Sequence, residues 1–147
     1  MHKMTILISD DPKRLDIPMI HQFLHEESGW ANGIPLSTVE KAIQHSLCFG
    51  AYENGKQVGF ARVVTDRASY AYLCDVFTVP THRGNGIARL MMETILNHPD
   101  IQGLRRFNLA TTSAQGLYEK FGWVTLSKPE TNMERNFPDI YEQDDEL

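Results

Sequence analysis

Two cysteines in 147 residues, Cys48 and Cys74, are too few for a disulfide framework, and no C-x-x-C spacing offers a zinc site. Each lies in an apolar run, the setting of a buried reduced thiol. No apolar run approaches the roughly 20 residues that a membrane-spanning helix needs, so a soluble chain with no membrane partner is expected. The opening MHKMTILISDD lacks the long apolar stretch and small-residue cleavage site of a secretory signal, which points to a cytoplasmic protein. Positive charge is scarce as well. With 14 Lys and Arg against 19 Asp and Glu, the formal net charge is -5, and a sequence-independent grip on nucleic acid, which depends on cations replacing phosphate counterions, is not expected. No internal repeat, linker or low-complexity segment interrupts the chain. What is present, 41% hydrophobic and 22% charged residues, suits one domain over residues 1–140, followed by an acidic tail at 141–147 that is expected to be disordered.

Residues 4–9 read as a short strand. Asp16 is placed to cap a helix that carries Pro18 in its first turn and runs to about residue 28. After a loop at 29–35, Ser37 and Glu40 have the spacing of a capping box for a second helix ending near His45. Residues 47–53 and 57–65 are rich in β-formers, and Asn54-Gly55 between them suits the positive φ angles of a tight hairpin. Residues 70–79 are apolar on both parities, as in a central strand covered on both faces, and Pro80 ends the run. From Gly86 the spacing of Ile87, Leu90, Met91, Ile95 and Leu96 becomes helical. A strand at 106–110, a short helix at 114–121 capped by Ser113 and closed by Gly122, and strands at 123–126 and 132–135 complete the series. The fold class is α+β, a mixed, mostly antiparallel central sheet flanked by helices, in the order β-α-α-β-β-β-α-β-α-β.

The informative stretch is Val79-Pro-Thr-His-Arg-Gly-Asn-Gly-Ile-Ala88, which joins a buried strand to a helix through a turn with two glycines. The first N–H groups of a helix have no internal partner and lie at the positive end of its dipole, so they suit a phosphate or pyrophosphate. Gly84 and Gly86 let the backbone approach such a ligand, and Ala88 keeps the helix close; the plainer reading is a turn that only reverses the chain. A P-loop is excluded because Ile87-Ala88 stands where Lys-Ser/Thr is needed. A dinucleotide fingerprint is excluded because Arg89 stands where its third glycine belongs.

Arg83-Gly84-Asn85-Gly86-Ile87-Ala88 resembles the R/Q-x-x-G-x-G/A acyl-CoA pyrophosphate loop of the GNAT superfamily of N-acetyltransferases. A second, independent stretch, Ser113-Ala-Gln-Gly-Leu-Tyr-Glu-Lys-Phe-Gly-Trp123, resembles the family's late helix, A-x-x-L-Y-x-x-x-G-F. The order of elements is similar from the first strand to about residue 126. The resemblance implies acetyl-CoA as co-substrate, with no metal, and transfer of its acetyl group to a primary amine of a small molecule or protein by direct attack in a ternary complex. It implies that Val76, Phe77 and Val79 line the pantetheine arm. One departure stands out: Thr111 occupies the position where many members carry an asparagine that contacts that arm.

The resemblance also implies that Tyr118 protonates the departing thiolate, a role its phenol, with a pKa near ~10, can fill at neutral pH; packing beside Leu117 and Phe121 is the plainer alternative. Asp75, isolated in an apolar strand, is the first candidate for the base that deprotonates the amine, and an ion pair with Arg62 explains it equally well. Asp66 borders a turn and is a weaker candidate. Trp30, Arg62 and Tyr72 are the candidate acceptor-binding residues. His21 and His25, one helical turn apart, lack the glutamate after the first histidine that a zinc helix carries, since Gln22 stands there. His82, Arg89 and Lys120 are positioned by sequence to meet the 3′-phosphate of CoA. A homodimer through the C-terminal strands is compatible with the pattern. The second functional reading is an acyl-CoA-binding sensor or partner-docking domain without turnover.

Overall fold

The structure, a computed structural model, describes residues 4–142; the acidic residues 143–147 lie outside the described part. Five strands, β1 (Leu7–Ser9), β2 (Leu47–Glu53), β3 (Lys56–Thr65), β4 (Tyr70–Thr78) and β5 (Arg106–Leu109), form one sheet in sequence order. The first three pairings are antiparallel and β4 runs parallel to β5. Helices α1 (Ile17–Glu26) and α2 (Leu36–Gln44) cover one face, and α3 (Ile87–Leu96) with the short α4 (Gln115–Glu119) covers the other. The α+β class, the mixed sheet and the flanking helices are as the sequence predicts.

Local chemistry explains most boundaries. The Asp16 carboxylate accepts the Met19 N–H at 3.2 Å and opens α1, while the Asp16 N–H donates to Gln57 Oε1 at 2.7 Å. Gln57 is buried and donates onward to Gly59 O, which fixes the start of α1 to β3. Asn54 (φ 51°) and Gly55 (φ 81°) make the expected hairpin turn. The core divides by strand parity. Leu47, Phe49, Ala61, Val63, Ala71 and Leu73 face α3, whereas Cys48, Phe60 and Phe77 face α1 and α2.

Three sequence expectations need correction. Ser37 and Glu40 make no capping box: α2 begins after Pro35 with no side-chain cap, and proline's fixed φ of -69° serves instead. Ser113 does not cap the last helix; the Thr111 hydroxyl accepts the Ala114 N–H at 3.1 Å and α4 spans only Gln115–Glu119. The final strands at 123–126 and 132–135 do not form among the described residues: the sheet ends at β5, and residues 123–126 face that strand across a groove without joining its ladder. Tyr141, assigned by sequence to the tail, packs instead against the α1/α2 side of the core.

Burial pushes the Cys48 thiol up to about 12 from an ordinary 9.0. Because the folded state holds this proton more tightly than the unfolded chain, its contribution is intact below pH 9 and is lost as pH rises from 9 towards 12. Between pH 8 and 10 the urea-unfolding free energy is expected to fall by about 1 kcal/mol on account of this group. Cys48→Ala should remove that part of the slope; an unchanged slope would mean that Cys48 ionises freely in the fold.

Candidate active site

The sheet opens where β4 outlasts β5. Their ladder ends at the Leu73–Leu109 pair, so residues 74–78 of β4 have no strand beside them on that side. A bulge at Asp75, whose φ is +53°, shifts the β3–β4 register between Phe60 and Arg62 and brings Phe77 to the α1 face. Aspartate and asparagine tolerate this left-handed geometry better than most residues. Bulges re-aim side chains and end pairing, and both effects occur here.

Beyond Val79, whose N–H pairs with Val58 O at 2.9 Å, a single 3-10 turn (Pro80–His82) leads to the glycine turn. Gly84 and Gly86 adopt φ of +79° and +74°, and a Cβ at either would meet nothing within 4 Å. Gly86 is the N-cap of α3 and supplies no side-chain acceptor, so the N–H groups of Ile87, Ala88 and Arg89 precede the first helical bond, Leu90 N–H to Gly86 O. Arg83 Nε donates to Thr78 O and Asn85 Nδ2 donates to His82 O and Arg83 O. Both side chains thus brace the turn. The result is a cradle of unpartnered donors with open space above it, which fits a pyrophosphate.

Across the opening, Tyr118 on α4 is buried against Trp123, with ring centroids 5.8 Å apart. Burial raises its phenol above the ordinary value, so it remains a proton donor across the neutral range. It borders a groove of about 250 Å³ shared with Thr111, Asn108, Gln115 and Leu126. Thr111 spends its oxygen on the turn before α4, leaving the hydroxyl hydrogen to donate elsewhere.

On the α1/α2 face, Arg62 Nε donates to Asp75 Oδ2 at 2.8 Å and Trp30 Nε1 donates to Asp75 Oδ1 at 2.9 Å. The ion pair that sequence offered as an alternative for Asp75 therefore exists. Arg62 Nη1 also reaches Ser46 Oγ at 3.1 Å, a partner sequence gave no reason to choose. Trp30 is more than half exposed. Tyr72 is in register with Val64 of β3 and Asn108 of β5, and burial raises its phenol. A small cavity of about 60 Å³ reaches Arg62 and Asp75 between α1, α2 and Tyr141. Tyr141 was missed because nothing local to residues 127–142 indicates where the chain returns.

Other candidates have structural tasks. Asp66 accepts three backbone N–H groups, from Ala68, Ser69 and Tyr70, and the Ser69 hydroxyl; these bonds hold its carboxyl well below the usual range. It is a turn anchor and a poor base. His21 and His25 each place a ring nitrogen 3.0 Å from Ile34 O and brace the loop after α1. His82 Nε2 sits 2.9 Å from Glu53, and Arg89 is spent on Glu93 one turn along α3.

This arrangement has relatives. The Acetyltransferase (GNAT) domain family matches residues 44–125, more than half of the chain. A crystal structure from Xanthomonas campestris, described as a GNAT-family acetyltransferase, is 47% identical and superposes with a TM-score of 0.93 over 95% of this chain and 98% of its own. A protein from Gibberella zeae named as an acetyltransferase is 34% identical, covering 78% of this chain and 76% of its own. A Clostridium acetobutylicum protein, solved with acetyl-CoA, shares the fold at 20% identity, with a TM-score of 0.67 over 91% of this chain and 96% of its own. The glycine turn at the head of α3, the unpaired end of β4 and these matches lead to one conclusion: the chain is an acetyltransferase of the GNAT family.

Proposed function

We propose that the protein transfers the acetyl group of acetyl-CoA to the nitrogen of a primary amine, on a small molecule or a protein, by direct attack in a ternary complex. The observation that carries this reading is the continuity of the unpaired β4 end with the donor cradle at Gly84–Gly86. An extended pantetheine arm pairs with the first, beside Val76, Phe77 and Val79, and a pyrophosphate sits on the second, on the N–H groups around Arg83, Asn85, Ile87 and Ala88. The co-crystallised acetyl-CoA of the Clostridium relative supports the choice of donor. Thr111 donates its remaining hydroxyl hydrogen towards the arm.

In the transfer, the free amine forms a bond to the thioester carbonyl carbon and the C–S bond then breaks. Backbone N–H groups of β4 polarise the carbonyl oxygen as fixed donors. Tyr118 passes its proton to the leaving sulfur, and the second proton, shed by the nitrogen as the amide forms, returns to the Tyr118 oxygen through water. Asp75 takes the proton that the ammonium must lose, directly or through water. Its two oxygens offer about four acceptor sites and spend one each on Arg62 and Trp30, so two remain. Trp30, Arg62 and Tyr72 line the acceptor side. A cysteine relay is disfavoured, because burial pushes Cys74 up to about 11 and leaves on the order of one thiolate in ten thousand at pH 7. Two free thiols, Cys48 buried and Cys74 half-buried, also suit the cytoplasm as the place of action.

The test is release of free CoA from acetyl-CoA across a panel of amines, with calorimetric binding alongside. Turnover with an amine supports the reading, whereas tight binding without turnover on any amine or protein lysine supports a sensor. Asp75→Asn retains a side chain that accepts φ of +53°, so the variant is expected to fold, with stability lowered by roughly 1–3 kcal/mol as Arg62 loses its counter-charge. Its kcat with an amine acceptor should fall by roughly 10²–10⁴-fold; a wild-type kcat assigns the proton to water and Asp75 to the ion pair alone.

A further inference from the structure

Residues 80–86 lead into the donor cradle, yet burial does little to hold them, since every one of them except His82 is exposed. Most of their hydrogen bonds are short-range. His82 N–H bonds Val79 O, Arg83 N–H bonds Pro80 O, Arg83 Nε bonds Thr78 O, and Asn85 Nδ2 bonds His82 O and Arg83 O. Gly84 and Gly86, at φ of +79° and +74°, add backbone freedom on either side of Asn85. Among the described residues, one hydrogen bond ties this segment to a distant part of the chain: His82 Nε2 lies 2.9 Å from Glu53 Oε1, across 29 positions.

Glu53 is the last residue of β2 and is in register with Lys56 across the Asn54-Gly55 turn, so the β2–β3 hairpin fixes its backbone. The His82 and Glu53 side chains are 18% and 19% exposed. An ionised carboxylate only accepts, so Nε2 of the ring carries the shared hydrogen. Nδ1 lies 2.8 Å from Thr81 Oγ1, which can give a hydrogen to the neutral ring or accept one from the charged ring. The bond to Glu53 therefore survives either protonation state of His82. Because the His82 carbonyl also receives Asn85, fixing His82 fixes the residue from which the glycine turn hangs.

We propose that Glu53 and His82 form a strut that holds the glycine turn in the shape that accepts the pyrophosphate, which makes both of them positioning residues for acetyl-CoA. The identity of the ligand rests on the proposed function; the strut itself does not. A turn that is competent only part of the time binds with an affinity reduced by that fraction, so a strut tightens binding without touching the ligand. Charge alone would act in the opposite direction. A carboxylate behind an anion site repels the pyrophosphate, and its removal by itself should tighten binding.

Glu53→Ala is expected to raise the Kd and KM for acetyl-CoA about 10-fold with kcat and the amine KM unchanged, since only binding shared by ground and transition states is lost. Glu53→Gln keeps an acceptor oxygen at the same reach and should bind within about threefold of wild type. His82→Ala should match Glu53→Ala, and the double variant should be no worse than either. In the ligand-free protein, NMR order parameters of backbone residues 82–86 should fall in Glu53→Ala while those of β2 and β3 hold, which separates a loosened turn from a failing fold. Unchanged affinity in both alanine variants, tighter binding in both Glu53 variants, additive losses in the double variant, or order parameters that do not move would each overturn the strut. If wild type binds no acetyl-CoA, the proposed function fails, and the order parameters still decide the strut.

Discussion

Gly86→Glu is expected to abolish calorimetric binding of acetyl-CoA while the protein remains folded. Gly86 holds φ +74°, and a Cβ there meets no atom within 4 Å, so the cost to the fold is backbone strain alone, about 1–3 kcal/mol. The cost to binding is larger. A carboxylate at the head of α3 takes up the free N–H groups of the first turn and sets a negative charge where a pyrophosphate must sit. Opposed like charges cost several kcal/mol, so affinity should fall at least about 100-fold. Gly86→Ala separates the two effects, carrying the strain without the charge, and should keep most of the affinity. If the glutamate variant binds as wild type does, the turn only reverses the chain and the donor cradle has no ligand.

Tyr118→Phe is expected to lower kcat by roughly 10²–10⁴-fold, the usual range for loss of a positioned general acid. The KM for acetyl-CoA should hardly change, because the ring that packs on Trp123 is retained. The sign of the pH dependence follows from burial. The working form is the protonated phenol, and desolvation raises its pKa above the ordinary ~10, so Tyr118 contributes no falling limb below about pH 10. Above that value the wild-type rate should fall, and the variant's low rate should not follow it. Wild-type turnover by the phenylalanine variant would return Tyr118 to packing.

Legibility tracked how local the physics is. The Asn54-Gly55 hairpin, the Asp16 cap and the strand-to-helix glycine turn were readable because each is decided within a few residues, by φ preference or by one side chain reaching its own backbone. The capping box at Ser37 misled because Pro35 already imposes the backbone angle that opens α2. At Ser113 the competing hydroxyl stood two residues earlier, on Thr111.

The order of elements through α4, the mixed sheet and the glycine turn at Gly84–Gly86 were determined by sequence alone, since hydrophobic period and turn chemistry are properties of contiguous residues. Tertiary structure decided what depends on distant partners. It gave Asp75 to both Arg62 and Trp30, 45 positions apart in the latter case, and engaged Arg62 with Ser46. It sent Tyr141 back to α1 and kept residues 123–137 out of the sheet. A β-segment carries unpaired N–H and C=O groups whichever way it turns, so only the position of an open edge determines whether it becomes a strand.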